Sequence, residues 1–245
     1  MAARRLYVAS PLSTGSEITL GESEARYLGR ALRMRNGDDV AVFNGDDSEF
    51  SATVQSLAKN QAQLLVGAPV DTQTESPLKV HLVQGVSRGE RMDLVVQKAT
   101  ELGIKRLSPV LTEYGVVKLD SERAEKRREH WQKIAISACE QSHRVRPPLI
   151  DAPVTLKEFF GAGARESDVD LILQPEASTP LVNVAKPDTK ICLLIGPEGG
   201  FSDNEYDDAD AAGFTSVSLG PRVLRTETAA IAALAVVQSL WGDLQ

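Results

Sequence analysis

The spacing of apolar residues changes character once along the chain, and that change constrains the fold more than any single motif. Before the polar, proline-ended stretch DTQTESP (Asp71–Pro77), the apolar residues fall in short runs, RLYVA, EITL, DVAVF, FSATVQSL and AQLLVGAPV, divided by the turn signals NGDD and NGDDSE. One helix interrupts these runs: in SEARYLGRALRMR, Leu28, Ala31 and Leu32 share an apolar side, while Arg26, Arg30 and Arg33 lie on another. A small β-barrel or sandwich with one helix follows. From Leu78 onward strands alternate with helices: LKVHLVQGV, then the helix RMDLVVQKATELG, then RLSPVLTE, a strand that Pro109 should interrupt. A long basic helix begins at Ser121 (SERAEKRREHWQKIAISACEQSHR) and ends before Pro147 and Pro148; the strands DLILQP and KICLLIG, a helix from Ser202, the strand TSVSLG and the helix ETAAIAALAVVQSLWG complete the chain. Such alternation predicts an α/β domain with a mostly parallel sheet and helices on both faces. With DTQTESP as linker, the domains are expected at residues 1–72 and 73–245.

Two strand-to-helix junctions stand out in the second part. In LLIGPEGGFSDNE a buried strand stops at Pro-Glu-Gly-Gly, and Ser202 followed three residues later by Glu205 is a capping box that starts the next helix. The second junction is SLGPRVLRTETAA, where Thr226 is placed to cap the alanine-rich last helix. Ligands of parallel sheets bind beyond the carboxyl ends of the strands, and glycine lets backbone approach a ligand closely. The two loops can therefore wall one pocket; a tight turn needing glycine only for positive φ is the alternative reading. The many alanines of the last helix fit a tightly packed core or a subunit interface.

The charge is uneven. A net charge of −7 hides a central segment, residues 79–146, with 14 Lys and Arg against 9 Asp and Glu, and a first 35 residues with 6 against 3. Residues 147–245 have 6 against 15. A polyanion could lie across the N-terminal and central parts, although most charge runs are solvated helix faces. The two cysteines, Cys139 and Cys192, are far apart and form no metal-ligand spacing, so no metal is expected and a reduced, cytoplasmic setting fits. The start MAARRLYVASPLS carries no signal-length apolar run, and nowhere do eighteen apolar residues adjoin, so no membrane span is expected. No phosphate-binding loop of the G-x-x-x-x-G-K type occurs, and GAGARE at Gly161 lacks the third glycine of a dinucleotide fingerprint. GVSRG, Gly85–Gly89, matches a nucleophile elbow. Its catalytic histidine would have to be His130 or His143, neither of which follows a strand.

The two loops, taken with RRLYV, YLGRALRMRNGD, SRGERMDLVVQKATELGI and the segment from KLDSER to ACEQSHR, all in this order, resemble the SPOUT-class methyltransferases of the ribosomal RNA small subunit methyltransferase E family. The resemblance spans the whole chain. It implies a PUA-like β-barrel that binds RNA, followed by an α/β SPOUT domain whose end is threaded into a trefoil knot, and a homodimer with the last helix at its interface. It also implies S-adenosylmethionine as cofactor, with N3 of a uridine in small-subunit (16S) ribosomal RNA, within the assembled 30S subunit, as methyl acceptor. On this reading Leu173, Ile195, Gly196, Pro197, Gly199, Gly200, Leu219, Gly220, Val223, Leu224, Thr226 and Thr228 are the cofactor-binding candidates. An RNA-binding or assembly protein of the same fold without turnover is the rival.

Methylating uridine N3 requires loss of a weakly acidic proton and stabilisation of negative charge on the base oxygens. Arg225, just before a helix N-terminus, is the candidate for the second task. Glu198 and Glu227 are candidate bases, each with a competing explanation: Glu198 as a brace of its loop, Glu227 as a first-turn carboxylate favoured by the helix dipole. Arg4, Arg5, Arg26, Arg30, Arg33, Arg88 and Arg91 are the expected phosphate contacts.

Overall fold

The computed structural model of the chain describes residues 4–46, 48–115, 120–162 and 166–244. Lys118 and Leu119 of KLDSER and residues 163–165 of GAGARE lie outside the described residues. The chain divides into two compact units, one of residues 1–75 with Cys139–Arg146, the other of Ser76–Ala138 with Pro147–Gln245.

In the first unit, β1 (Arg5–Tyr7), β2 (Glu17–Leu20), β3 (Asp39–Phe43), β4 (Glu49–Leu57) and β5 (Ala62–Val70) form one sheet in the order β1-β3-β4-β5-β2. Only the β1–β3 pair is parallel. Alternate residues point inward, so Val40, Val42, Ala52, Val54, Leu64 and Val66 make one core with Leu6, Ile18 and Leu20. The predicted single helix is shorter and differently wound. It is α1 (Glu22–Arg26) followed by a π-helical turn at Tyr27–Ala31, in which the Leu32 amide reaches back five residues to the Tyr27 carbonyl at 3.1 Å. The wider turn rotates the apolar face, so that Ala25 and Leu28 are buried and Ala31 is exposed, contrary to the 3.6-residue reading. Arg33 then adopts a positive φ of 53° as the chain leaves the turn.

Among the described residues the second unit holds seven strands, all in parallel pairs: β6 (Lys79–Gly85), β7 (Arg106–Leu111), β8 (Leu149–Ile150), β9 (Val154–Thr155), β10 (Val169–Leu173), β11 (Lys190–Ile195) and β12 (Thr215–Val217). Their order is β12-β10-β11-β6-β7-β8, with β9 also on β7. Between them run α2 (Glu90–Glu101), α3 (Ser121–Ser142), α4 (Leu156–Gly161), α5 (Asp203–Ala211) and the last helix, α6 (Thr226–Trp241). The sheet is covered on both sides, and the strand period of two sorts its residues. Val80, Leu82, Ile191, Leu193 and Ile195 pack with Val95 and Val96 of α2, Trp131 and Ala135 of α3 and Ala230, Ala233 and Leu234 of α6. Val83, Cys192 and Leu194 pack on the other face with Leu156 of α4 and Ala209 of α5.

Pro109 does not interrupt β7. The Leu107 carbonyl accepts from Asp151 while the Val110 carbonyl accepts from Val86, so odd-numbered residues of β7 face the β8/β9 side. The missing N–H of Pro109 therefore falls where β8 gives way to β9, and no ladder bond is lost.

Candidate active site

Three strand-end loops of the parallel sheet, following β10, β11 and β12, converge on a cavity of about 570 Å³. Of the twelve predicted cofactor residues, all but Thr228 line it: Leu173, Ile195, Gly196, Pro197, Gly199, Gly200, Leu219, Gly220, Val223, Leu224 and Thr226. Thr228 is exposed and outside the lining, because at about 100° per residue it lies on the far side of α6 from Thr226.

The Gly-Pro-Glu-Gly-Gly loop is held from below. A side chain on Gly85, at the end of β6, would occupy the space of the Pro197 ring, and a Cβ on Gly199 would lie 2.9 Å from the Tyr114 carbonyl. Gly199 is thus needed for close approach to other backbone of the protein, whereas Gly200, with a φ of 71°, closes the turn through an amide hydrogen bond to the Pro197 carbonyl at 3.0 Å. The capping box of α5 is formed as the sequence indicates. Ser202 Oγ accepts from the Glu205 amide at 3.2 Å, and Glu205 Oε2 accepts from the Ser202 amide at 2.9 Å. The other oxygen of this buried carboxylate accepts from the Glu113 amide at 2.9 Å, tying the start of α5 to the turn after β7.

Thr226 does not cap α6. Arg225 is the N-cap residue and makes no side-chain cap bond. The Thr226 hydroxyl instead donates to the Gly196 carbonyl at 2.6 Å and accepts from Gln84 Nε2 at 3.0 Å, joining the two loops through the end of β6. Gln84 is fully buried, and the sequence reading missed it. A lone amide in the otherwise apolar end of LKVHLVQG was the available signal.

The charged candidates divide by partner. Glu198 accepts from Arg91 Nη1 at 2.6 Å and from the Arg88 amide at 3.2 Å. Partial burial acts to raise its pKa, but the guanidinium and backbone donors outweigh that and hold the carboxyl below its ordinary range. Both bonds tie the loop to the segment that opens α2. Glu227 also lines the cavity, and its Oε2 is buried with no hydrogen-bond partner among the described residues. Arg225 is exposed at the cavity, where α6 begins. Phe201, Tyr206, Gln174, Pro175 and Arg222 are further lining residues that went unnamed. Tyr206 is one helical turn from Ser202, and Arg222 sits within the quoted loop GPRVLRTET, so spacing and charge were the signals. Burial pushes the Tyr206 phenol up, with Glu176 and Glu205 adding to it.

Among the expected phosphate contacts, Arg5 is misplaced. It is buried in the first unit, where Nε donates to Glu49 Oε2 at 2.6 Å, Nη1 to the Cys139 carbonyl at 2.6 Å and Nη2 to the Arg144 carbonyl at 3.2 Å, beneath a cation–π contact with Phe43. In the first unit Arg4 is exposed and pairs with Asp38 at 3.0 Å, Arg26 pairs with Glu22 one turn away, and Arg30 and Arg33 are exposed. In the second unit Arg88 is exposed and Arg91 is exposed on Glu198. Ser87 of GVSRG is buried with its hydroxyl directed at the Gly85 carbonyl, which leaves no nucleophile elbow. Among the described residues no cluster of three or more His, Cys, Asp or Glu is arranged to hold a metal ion, and no helix is long and apolar enough to cross a membrane.

A parallel sheet with a loop-walled cavity at its carboxyl end, in a chain that also carries a small β unit, is the arrangement of a ligand-binding α/β domain joined to an accessory β module. The family model described as an RNA methyltransferase domain matches residues 74–238, and one described as an RNA methyltransferase PUA domain matches residues 20–67. A Legionella pneumophila protein, solved with the cofactor S-adenosylmethionine bound, is 40% identical, with a TM-score of 0.94 and all of both chains covered. The ribosomal RNA small subunit methyltransferase E of Neisseria gonorrhoeae, bound to S-adenosylmethionine, is 37% identical with a TM-score of 0.92 over 99% of this chain and 100% of that one. The enzyme of the same name from Buchnera aphidicola is 32% identical over 240 residues, 98% of this chain and 97% of its own. The chain belongs to the ribosomal RNA small subunit methyltransferase E family.

Proposed function

We propose that the protein transfers the methyl group of S-adenosylmethionine to N3 of a uridine in small-subunit ribosomal RNA, acting in the cytoplasm on the assembled 30S subunit. The observation that carries this reading is the cavity where the loops after β10, β11 and β12 meet. Its volume lies in the range of small-molecule sites, roughly 300–1,000 Å³. Leu173, Ile195, Leu219, Val223 and Leu224 offer apolar walls for a planar ring, with backbone groups of both loops between them. The unpaired Glu227 oxygen suits a ligand that brings donors or positive charge. The cofactor, when bound, supplies an electrophilic methyl group.

The chain's own residues do the rest. Arg225, exposed at the positive end of α6, stabilises negative charge as it develops on the base oxygens. Glu198 is committed to Arg91 and Arg88 and braces the loop, which leaves Glu227 as the candidate proton acceptor. Leu173, Ile195, Gly196, Pro197, Gly199, Gly200, Leu219, Gly220, Val223, Leu224 and Thr226 hold the cofactor. Arg4, Arg26, Arg30, Arg33, Arg88 and Arg91 meet the RNA backbone. The knotted chain and the homodimer form part of the same proposal, and sedimentation reads out the dimer.

Arg225→Ala tests the assignment. Cofactor affinity by calorimetry should stay within about 3-fold, while methyl transfer to small subunits falls by about 100-fold or more, the usual effect of removing one preorganised donor. Transfer at the wild-type rate would refute the role of Arg225. Mapping of the modified base decides the uridine N3 reading.

A further inference from the structure

An aromatic side chain beside the loop that walls this cavity has no hydrogen-bond or ring partner among the described residues. Tyr114 is 56% exposed, in the turn that follows β7. The turn is firmly built: Glu205 holds the Glu113 amide, the Gly115 amide donates to the Thr112 carbonyl at 3.0 Å, and a Cβ on Gly115 would collide with Thr112. The base of Tyr114 abuts Gly199, while the adjacent Glu198 accepts from the Arg88 amide and the Arg91 side chain. One phenol ring and two exposed arginines are thus anchored on two consecutive residues of the loop that walls the cavity. A half-exposed aromatic ring on a hydrogen-bonded turn, set against the same loop as two exposed arginines, is an arrangement that can receive an unstacked nucleobase with its phosphates.

We infer that Tyr114 is a stacking platform for a base of the RNA substrate, with Arg88 and Arg91 taking the adjoining phosphates. The inference rests on the proposed RNA methyltransferase reading and adds a side chain that positions the acceptor. A nucleobase presents a π-face whatever its identity, so Tyr114 contributes affinity and placement, and choice of base falls to the cavity.

The test uses the full chain, a fluorescently labelled single-stranded RNA oligonucleotide containing uridine, and unmodified small subunits. Tyr114→Ala should weaken oligonucleotide binding and lower kcat/KM for subunits by about 5- to 100-fold, the scale of one lost base–aromatic contact. Tyr114→Phe and Tyr114→Trp should stay within about 3-fold, because the ring and not the hydroxyl acts. Calorimetric affinity for S-adenosylmethionine should be unchanged in all three. The salt slope of RNA binding should be unchanged in Tyr114→Ala and flattened in Arg88→Ala, since only the second removes a phosphate contact. Wild-type binding and turnover in Tyr114→Ala, a phenylalanine variant as defective as the alanine one, or loss of cofactor binding would each overturn the inference. Should the wild type bind the oligonucleotide but transfer no methyl group, the catalytic reading fails and the binding comparison alone decides Tyr114; absent RNA binding overturns both.

Discussion

Replacing Thr226 by valine removes one hydroxyl and almost no volume, and the structure sets the cost. Thr226 is 5% exposed, and its hydroxyl makes two bonds, to the Gly196 carbonyl at 2.6 Å and from Gln84 Nε2 at 3.0 Å. A buried hydrogen bond contributes about 1 kcal/mol net, so Thr226→Val should cost about 2 kcal/mol. The larger penalty of an orphaned group is avoided, because Gln84 Nε2 retains the Gly85 carbonyl at 3.2 Å and reaches the Gly196 carbonyl at 3.4 Å. Both tryptophans, Trp131 and Trp241, lie in the second unit, so urea unfolding followed by their fluorescence reports on that unit alone. The same bridge orders the cofactor loop, and S-adenosylmethionine affinity should fall by up to about 30-fold, the equivalent of that 2 kcal/mol. Thr226→Ser keeps the hydroxyl and should keep both properties. Thr226→Asp separates bridge from cap: a capping residue would tolerate aspartate, whereas a carboxylate facing the Gly196 carbonyl is repelled and should cost more than valine. An unchanged urea midpoint in Thr226→Val, or an aspartate variant as stable as wild type, would refute the bridge.

Two further predictions concern the first unit. Arg5→Ala strands the buried Glu49 carboxylate and the carbonyls of Cys139 and Arg144, and should cost about 3–5 kcal/mol, read as faster hydrogen exchange of amides in β1 to β5; wild-type exchange would return Arg5 to the surface. Glu140 accepts from the Tyr7 amide and the Tyr27 hydroxyl, each at 3.0 Å, and burial raises its pKa despite these donors and nearby Arg5. A raised carboxyl favours folding of the protonated form, so its contribution is complete below the ordinary value of 4.5 and is lost as pH rises through the shifted value. Glu140→Gln should remove that fall in stability between acidic and neutral pH, measured by urea midpoints from circular dichroism; an unaltered pH dependence would count against it.

How far the sequence reaches depends on whether a signal is periodic or relational. The strands of both units other than the two-residue β8 and β9, the capping box at Ser202 and the two glycine loops were legible because each is written in neighbouring residues. Thr226 was misread for the same reason. Its sequence position suits a cap, but a carbonyl thirty residues away and an amide on β6 compete for the hydroxyl. Arg5 looked like surface charge in a basic run, since nothing in RRLYV announces that Glu49 and the carbonyls of Cys139 and Arg144 enclose it. The π-helical turn escaped because a 3.6-residue period was imposed on YLGRA, where the backbone closes over five.

These relational contacts explain why the cavity is preformed. Gly85 and Gly199 have no room for a side chain, so β6 and the turn after β7 press on the loop from beneath. Gln84 and Thr226 fasten that loop to the start of α6, Glu205 fastens the start of α5 to the β7 turn, and Arg91 holds Glu198. A loop rich in glycine would ordinarily lose much entropy on ordering around a ligand. Here that ordering is supplied by folding, so a ligand meets walls already in place and its affinity is not spent on arranging them. The glycines thus serve the site by admitting the protein's own backbone.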